Sequence, residues 1–182
     1  GASGMLGNAL LSQLSKSHHV FATSRNTGLL GKNINWDCFD LTNLDLLKIW
    51  LNKNNLDIVI HCAAIVDVDF CEENFNLSKA LHVDTTEVIS NYMQSSSGKL
   101  IYISTDSVFD GKKLGCYDES EITNPLNIYA KTKLQGEQIA LSIDDGLVLR
   151  TNIIGWTNND KTSFFEWLLE NLIKKNNINL FD

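Results

Sequence analysis

The chain has 182 residues, of which 43% are hydrophobic and 20% are charged, a composition typical of a folded globular domain rather than a disordered chain. Its 22 Asp and Glu residues outnumber its 15 Lys and Arg residues, and the net charge of −7 argues against a broad nucleic-acid-binding surface. No apolar run approaches the length of about 20 residues that a bilayer span needs, so we expect no membrane insertion.

The cysteines indicate the redox compartment of the chain, and its two ends suggest that it is part of a longer protein. Cys38, Cys62, Cys71 and Cys116 have neither CxxC nor zinc-like spacing, which predicts free thiols in a reducing, cytoplasmic setting. The chain begins inside a glycine-rich segment and stops where residues 178–182 read as the start of a strand. We therefore expect part of a longer protein, with a first, central strand and most of a C-terminal domain missing.

Strand-like segments alternate with helical patterns along the chain. The strand candidates are residues 19–24, 33–39, 57–64, 99–104 and 146–150. The helix candidates are residues 7–17, 44–52, 74–96, 126–142 and 163–175. The near-continuous apolar strands suit a sheet that is covered on both faces. This alternation predicts an α/β fold with a doubly wound parallel sheet.

Three glycines open the chain with the spacing G-x-x-G-x-x-G and lead into a helical pattern. A tight strand-to-helix turn needs residues without a Cβ, and a pyrophosphate must approach the backbone N–H groups at the helix start. The spacing therefore favours a dinucleotide site at Gly1, Gly4 and Gly7, with an ordinary glycine-rich turn as the alternative.

Two charged residues follow the next strand candidates. Arg25 could pair with the 2′-phosphate of an adenosine ribose, or it could be a solvated loop residue. Asp40 and Leu41 could meet the adenine edge, or Asp40 could cap the following helix in competition with Thr42.

Tyr129 and Lys133 are four residues apart, so they share one face of a helix. Reduction of a ketone leaves an alkoxide that needs a proton, and a tyrosine whose phenolate is favoured by a nearby cation can supply it. Thr105 follows a buried strand, where ligands bind in open α/β sheets, and its hydroxyl could bind the substrate carbonyl. An ST-turn or helix cap is the structural alternative for Thr105.

The segment after the third strand candidate carries further polar residues. We interpret His61 as a strand-end residue rather than a catalytic one, and Asp67 and Asp69 as a solvated turn. Two carboxylates in a loop do not predict a metal site without further ligands.

Four blocks occur in order: the glycine triplet, His61-Cys62-Ala63-Ala64, the run from Ile103 to Gly111, and the run from Pro125 to Lys133. Together they resemble an extended short-chain dehydrogenase/reductase, most closely the dTDP-4-dehydrorhamnose reductase branch. The resemblance implies a Rossmann-type fold that binds NADPH or NADH. It also implies catalysis by Thr105, Tyr129 and Lys133, and cofactor contacts from Gly1, Gly4, Met5, Leu6, Gly7, Arg25, Asp40, Leu41, Ala63, Ala64, Tyr129 and Lys133.

The expected activity is reduction of a nucleotide-linked 4-keto-6-deoxy sugar. Ser107 and Ile153 depart from the branch near the sugar, so the identity of the sugar stays open. A nucleotide-sugar epimerase or dehydratase with retained NAD is one alternative, and a regulatory subunit resembling the methionine adenosyltransferase beta subunit is another. We expect a cofactor domain over residues 1–160 and the start of a substrate region over residues 161–182, and we leave a homodimer open.

Overall fold

The computed structural model describes residues 1–26, 31–156 and 162–178. Within these residues all strand pairs are parallel, which confirms the α/β parallel architecture predicted from the alternating pattern. β4 and β5 have the predicted bounds, whereas the other strands are shorter than their apolar runs. The strands are β1 Val20–Ser24, β2 Ile34–Cys38, β3 Ile58–His61, β4 Lys99–Ser104 and β5 Gly146–Arg150.

The described strands form two separate blocks rather than one continuous sheet. β1 pairs with β2, and β3, β4 and β5 form a second sheet in that order. Val20 lies opposite Ile34 in the first block, and Ile58 lies opposite Lys99 in the second. A cavity of about 590 Å³ lies between β1 and β3 and is also lined by apolar side chains of the first two helices. We call it the inter-sheet cleft, and it leaves one edge of β1 and one edge of β3 without a strand partner among the described residues.

Gly1 and Ala2 connect the two blocks at the carboxyl ends of their strands. The N–H groups of both residues donate to the carbonyl oxygen of Thr23, which lies near the end of β1. A Cβ on Gly1 would lie 2.5 Å from the backbone nitrogen of Ala63, just after β3. The glycine-rich turn therefore lies where the two blocks meet, as a dinucleotide-binding turn requires.

The helices agree with the predicted pattern except between β3 and β4. There the sequence predicted one helix over residues 74–96, and the structure has two α-helices joined by a π-helical turn at Ala80–Asp84. A short helix also replaces the predicted solvated turn, and the Asp67 carboxylate caps it by accepting the N–H of Phe70 at 3.0 Å. The helices are α1 Met5–Leu14, α2 Leu44–Asn54, α3 Val68–Glu73, α4 Phe75–Lys79, α5 Thr85–Ser96, α6 Ile128–Ala140 and α7 Phe164–Ile173.

Helices α2, α5 and α6 pack side by side, and α5 and α6 lie against β4. Their apolar faces and the inner positions of β4 form one buried cluster, which fixes the position of α6 relative to the end of β4. The buried members of this cluster are Leu47, Leu51, Ile89, Met93, Leu100, Tyr102, Ala140 and Ile143.

The last described helix begins at a capping box, in which Ser163 and Glu166 satisfy each other's backbone N–H groups. The strand expected over residues 178–182 lies outside the described residues except for Ile178, which is in no strand. Across the described ranges no helix combines the length and the apolar character needed to cross a bilayer.

Candidate active site

Thr105, Tyr129 and Lys133 come together at the carboxyl end of β4, as the sequence predicted. Thr105 directly follows β4, and the two other residues lie on the first turns of α6. The helix begins where it does because the Asn127 side chain accepts the N–H of Ala130 at 2.8 Å. This N-cap places Tyr129 in the first turn, beside Thr105.

The Tyr129 phenol is partly buried beside Thr105. Burial raises the pKa of Tyr129, the charges of Asp106 and Cys71 raise it further, and a side-chain hydrogen bond with Thr105 acts in the opposite direction. The phenol is therefore protonated at neutral pH and carries a proton that it can donate.

Thr105 caps the turn that follows β4, which is the structural alternative predicted for this residue. Its hydroxyl accepts the N–H of Ser107 at 3.1 Å and so caps a short 3₁₀ turn at Asp106–Val108. The same hydroxyl lies 3.2 Å from a carboxylate oxygen of Asp106. Only 5% of Thr105 is exposed, so its hydroxyl is held in a fixed orientation next to Tyr129.

Lys133 is buried, and its ammonium group points into the protein. It donates to the carbonyl oxygen of Ile103 at 2.6 Å and lies 4.1 Å from the centre of the Tyr102 ring. Burial lowers the pKa of Lys133 to about 7, and the charges of Glu137 and Cys62 act to raise it. The spacing of Tyr129 and Lys133 predicted that the Lys133 ammonium lowers the pKa of Tyr129. In this arrangement that pKa is raised, because burial of the phenol dominates.

The glycine-rich turn fits a dinucleotide pyrophosphate. Helix α1 begins at Met5 with Gly4 as its N-cap, no side chain caps its first N–H groups, and its first turn has no acidic residue. A Cβ on Gly7 would lie 2.4 Å from the carbonyl oxygen of Gly1, so only glycine allows the helix to pack this closely on the turn. The Gly4 N–H donates to the Gly1 carbonyl at 3.1 Å, and the next N–H groups, with the positive end of the helix dipole, favour an anion beside Gly4, Met5 and Leu6.

The residues expected near the adenosine lie at the ends of β1 and β2. Arg25 is exposed directly after β1, and its charge contributes to lowering the pKa of Asp40. The larger cause is the hydrogen bond from the Thr42 backbone N–H, at 2.9 Å, to the Asp40 carboxylate. Neither Asp40 nor Thr42 caps α2, since Asn43 does so by accepting the N–H of Leu46. Leu41 packs against the core cluster and lines the inter-sheet cleft.

The segment after β3 completes the surroundings of the site. His61 ends β3 as predicted, and Ala63 and Ala64 follow it as partly buried residues. Ser107 lines a second cavity of about 530 Å³ beside the site, whereas Ile153 is 40% exposed beyond β5.

Three polar residues of the site were not singled out from the sequence: the buried His82 and Glu137, and the partly buried Arg150. Glu137 follows Lys133 by four residues, so the spacing that identified Tyr129 and Lys133 extends to a third position on the same face of α6. Glu137 accepts hydrogen bonds from Arg150 and from the Ser104 hydroxyl. No sequence signal distinguishes His82 within the predicted helix.

Comparisons with known proteins are consistent with this geometry. A family model described as the RmlD substrate binding domain matches residues 1–182. The chain is 28% identical over 189 residues to the probable low-salt glycan biosynthesis reductase Agl14 of Haloferax volcanii, covering 100% of this chain and 62% of that protein. It is 33% identical over 156 residues to the methionine adenosyltransferase 2 subunit beta of Xenopus laevis, covering 85% of this chain and 45% of that protein.

A solved structure shares both the fold and a cofactor complex. The dTDP-4-dehydrorhamnose reductase of Bacillus anthracis, solved in complex with NADP, is 26% identical and superposes with a TM-score of 0.77 over 96% of this chain and 58% of that one. The chain thus spans about half the length of the relatives it matches.

Proposed function

Given that the chain belongs to the RmlD substrate binding domain family, we propose that the whole protein is a reductase of a nucleotide-linked 4-keto-6-deoxy sugar. It uses NADPH or NADH and is of the extended short-chain dehydrogenase/reductase type. One observation carries the proposal: helix α6 packs against β4 and the 3₁₀ turn that follows it, which brings Tyr129 in its first turn close to Thr105 at the carboxyl end of β4, with Lys133 one helical turn from Tyr129. Names of relatives that include dTDP-4-dehydrorhamnose reductase support the same chemistry.

The three side chains divide the work of carbonyl reduction. Dihydronicotinamide, when bound, would supply the hydride that the carbonyl carbon accepts. Tyr129 donates its phenolic proton to the carbonyl oxygen, and the raised pKa of Tyr129 ensures that this proton is present at neutral pH. The Thr105 hydroxyl binds the same oxygen and orients it toward the phenol. Lys133 would donate to hydroxyl groups of the cofactor ribose once its ammonium group turns outward from the Ile103 carbonyl, to which it donates in this structure.

The test is oxidation of NADPH by the full-length protein with dTDP-4-keto-6-deoxymannose as substrate. Tyr129→Phe should lower kcat by about 10²–10⁴-fold, the usual contribution of a general acid, and should leave cofactor binding intact. Tyr92→Phe is the matched control, because the Tyr92 hydroxyl accepts the N–H of Leu56 far from β4's carboxyl end. Full turnover by Tyr129→Phe would refute the mechanism.

NADPH is the proposed cofactor rather than NADH. Exposed Arg25 can pair with a 2′-phosphate, and β1 ends at Ser24 rather than at an acidic residue that would bind the 2′-hydroxyl of NADH. Arg25→Ala should weaken NADPH binding by about tenfold and leave NADH binding unchanged, whereas Lys48→Ala, an exposed cation on α2, should change neither. An equal loss for both cofactors would overturn this preference.

A regulatory role is the second candidate, because the Xenopus laevis relative is a methionine adenosyltransferase subunit. It predicts cofactor binding without consumption of NADPH by any keto sugar, together with co-purification of a synthetase. Turnover that is abolished by Tyr129→Phe would exclude it.

The remaining expectations belong to the same proposal. Residues 1–160 form the cofactor domain and residues 161–182 begin the substrate region of a cytoplasmic enzyme. Cell fractionation tests the location, and light scattering of the full-length protein decides between a monomer and the homodimer that the sequence leaves open.

A further inference from the structure

We propose that His82 is a positioning residue of the site, whose imidazole ties the backbone after β3 to helix α6. This inference rests on the proposed function, since it concerns how the Tyr129 ring and the cofactor-facing segment are held. It assigns to His82 two separate tasks, one for each ring nitrogen.

The two hydrogen bonds of His82 connect elements that are far apart in sequence. Its Nε2 atom accepts the backbone N–H of Ile65 at 2.9 Å, directly after the two alanines expected along the cofactor. Its Nδ1 atom lies 2.8 Å from the Thr132 hydroxyl on α6. His82 has 0% exposure, so no water competes for either nitrogen.

The partners determine which nitrogen carries the proton. An N–H of Ile65 can only donate, so Nε2 must be the unprotonated acceptor. The Thr132 hydroxyl lies 2.9 Å from the carbonyl oxygens of Ile128 and Tyr129 and donates to them, so its lone pair accepts from Nδ1–H. Burial, followed by the charge of Lys133, lowers the pKa of His82 to about 3, which keeps the ring in this neutral form.

The π-helical turn places the ring against the proposed proton donor. His82 lies within Ala80–Asp84, and its ring meets the Tyr129 ring edge-on, at 5.9 Å between centroids and 80° between planes. The carbonyl oxygen of His82 is also held, because Thr86 donates to it at 2.7 Å. A π-helical turn is wider than an α-helical turn. Here it places the side chain of His82 between the backbone after β3 and helix α6, and one ring nitrogen contacts each of them.

Two conservative variants of the full-length protein separate the two tasks. In His82→Gln the amide oxygen can accept the N–H of Ile65 in place of Nε2, but no donor is left for Thr132. In His82→Asn the amide nitrogen can donate to Thr132 in place of Nδ1, but the bond to Ile65 is lost. Direct titration with NADPH gives cofactor affinity, and steady-state assays give kcat.

We expect His82→Asn to weaken NADPH binding by about tenfold, the value of one buried hydrogen bond, and to lower kcat by less than His82→Gln does. His82→Gln should keep NADPH affinity within about threefold and lose about tenfold in kcat. Thr132→Val should repeat the kcat loss of His82→Gln.

Ser90→Ala is the control, because it removes a buried hydroxyl of α5 that donates to the Ile139 carbonyl of α6 and bonds to none of His82, Ile65 and Thr132. Equal losses of affinity and kcat in both His82 variants, or the same pattern in Ser90→Ala, would overturn the proposal. If the wild-type protein binds NADPH but turns over no keto sugar, the proposed function fails, and the affinity difference between the two variants still decides the role of His82.

Discussion

The ion pair between Glu137 and Arg150 supports the candidate site from below, and its removal should cost the protein stability. The side chain of Glu137 is 2% exposed and that of Arg150 is 20% exposed. Glu137 accepts three hydrogen bonds from Arg150, at 2.8 to 3.2 Å, and one from the Ser104 hydroxyl. Replacing Glu137 with alanine would therefore leave a partly buried guanidinium without its partner.

The expected loss is about 3 kcal/mol, the lower end of the range of about 3–5 kcal/mol for breaking a buried pair, because Arg150 keeps some contact with solvent. Glu137→Gln should lose less, because the amide keeps the shape and one acceptor. Either change also removes a negative charge that raises the pKa of Lys133, so the lysine should lose its proton at a lower pH.

Urea denaturation of the full-length protein measures the loss as a shift of the midpoint with an unchanged slope. Glu170→Gln is the control, because Glu170 forms an exposed pair with Lys174 on α7 that is worth only about 0.3–0.5 kcal/mol. The reasoning fails if Glu137→Ala and Glu170→Gln have midpoints within error of each other.

Three further predictions concern the site and the cleft. Because burial lowers the pKa of Lys133 from its ordinary 10.5 to about 7, the folded chain binds fewer protons than the unfolded chain between these values, and stability should rise with pH by up to about 1.4 kcal/mol per unit. Urea midpoints measured from pH 7 to pH 9 should show this slope for wild type and not for Lys133→Met. Asn127→Ala should cost about 1 kcal/mol in thermal unfolding, since it removes the N-cap of α6, and an unchanged melting temperature would contradict this. Residues 1–182 expressed alone should be poorly soluble and bind NADPH weakly, because the edges of β1 and β3 that border the inter-sheet cleft have no strand partner among the described residues. A cooperative melting transition that NADPH raises would disprove it.

Much of the fold could be predicted because short local sequence patterns determine the strands and turns that define it. β4 and β5 are apolar runs with clear stops, and the glycine spacing and the Tyr129–Lys133 spacing each describe one turn of backbone. These are local signals, and the structure agrees with them in the parallel architecture and in the placement of the three candidate catalytic residues.

The remaining features depend on contacts between distant residues. The π-helical turn forms within a sequence pattern that predicts one helix. Its residue His82 is hydrogen-bonded to Tyr102 of β4, to Thr132 of α6 and to Ile65 in the loop after β3. The direction of the Lys133 ammonium follows from the Ile103 carbonyl and the Tyr102 ring beneath it, which sequence spacing does not reveal. Asn43 caps α2, whereas the Asp40 carboxylate accepts hydrogen bonds from the backbone N–H and the hydroxyl of Thr42.

The inter-sheet cleft gives the molecule two halves that carry different parts of the candidate site. The block of β1 and β2 holds Arg25, and the block of β3, β4 and β5 holds Thr105 and leads into Tyr129. A dinucleotide that contacts both halves would hold them together, and so would a strand inserted in parallel between β1 and β3. Because thermodynamic coupling is reciprocal, the inserted strand would strengthen dinucleotide binding by the same factor by which the dinucleotide strengthens binding of the strand. For residues 1–182 expressed alone, a short peptide that fills the cleft should therefore raise the affinity for NADPH without contacting the cofactor.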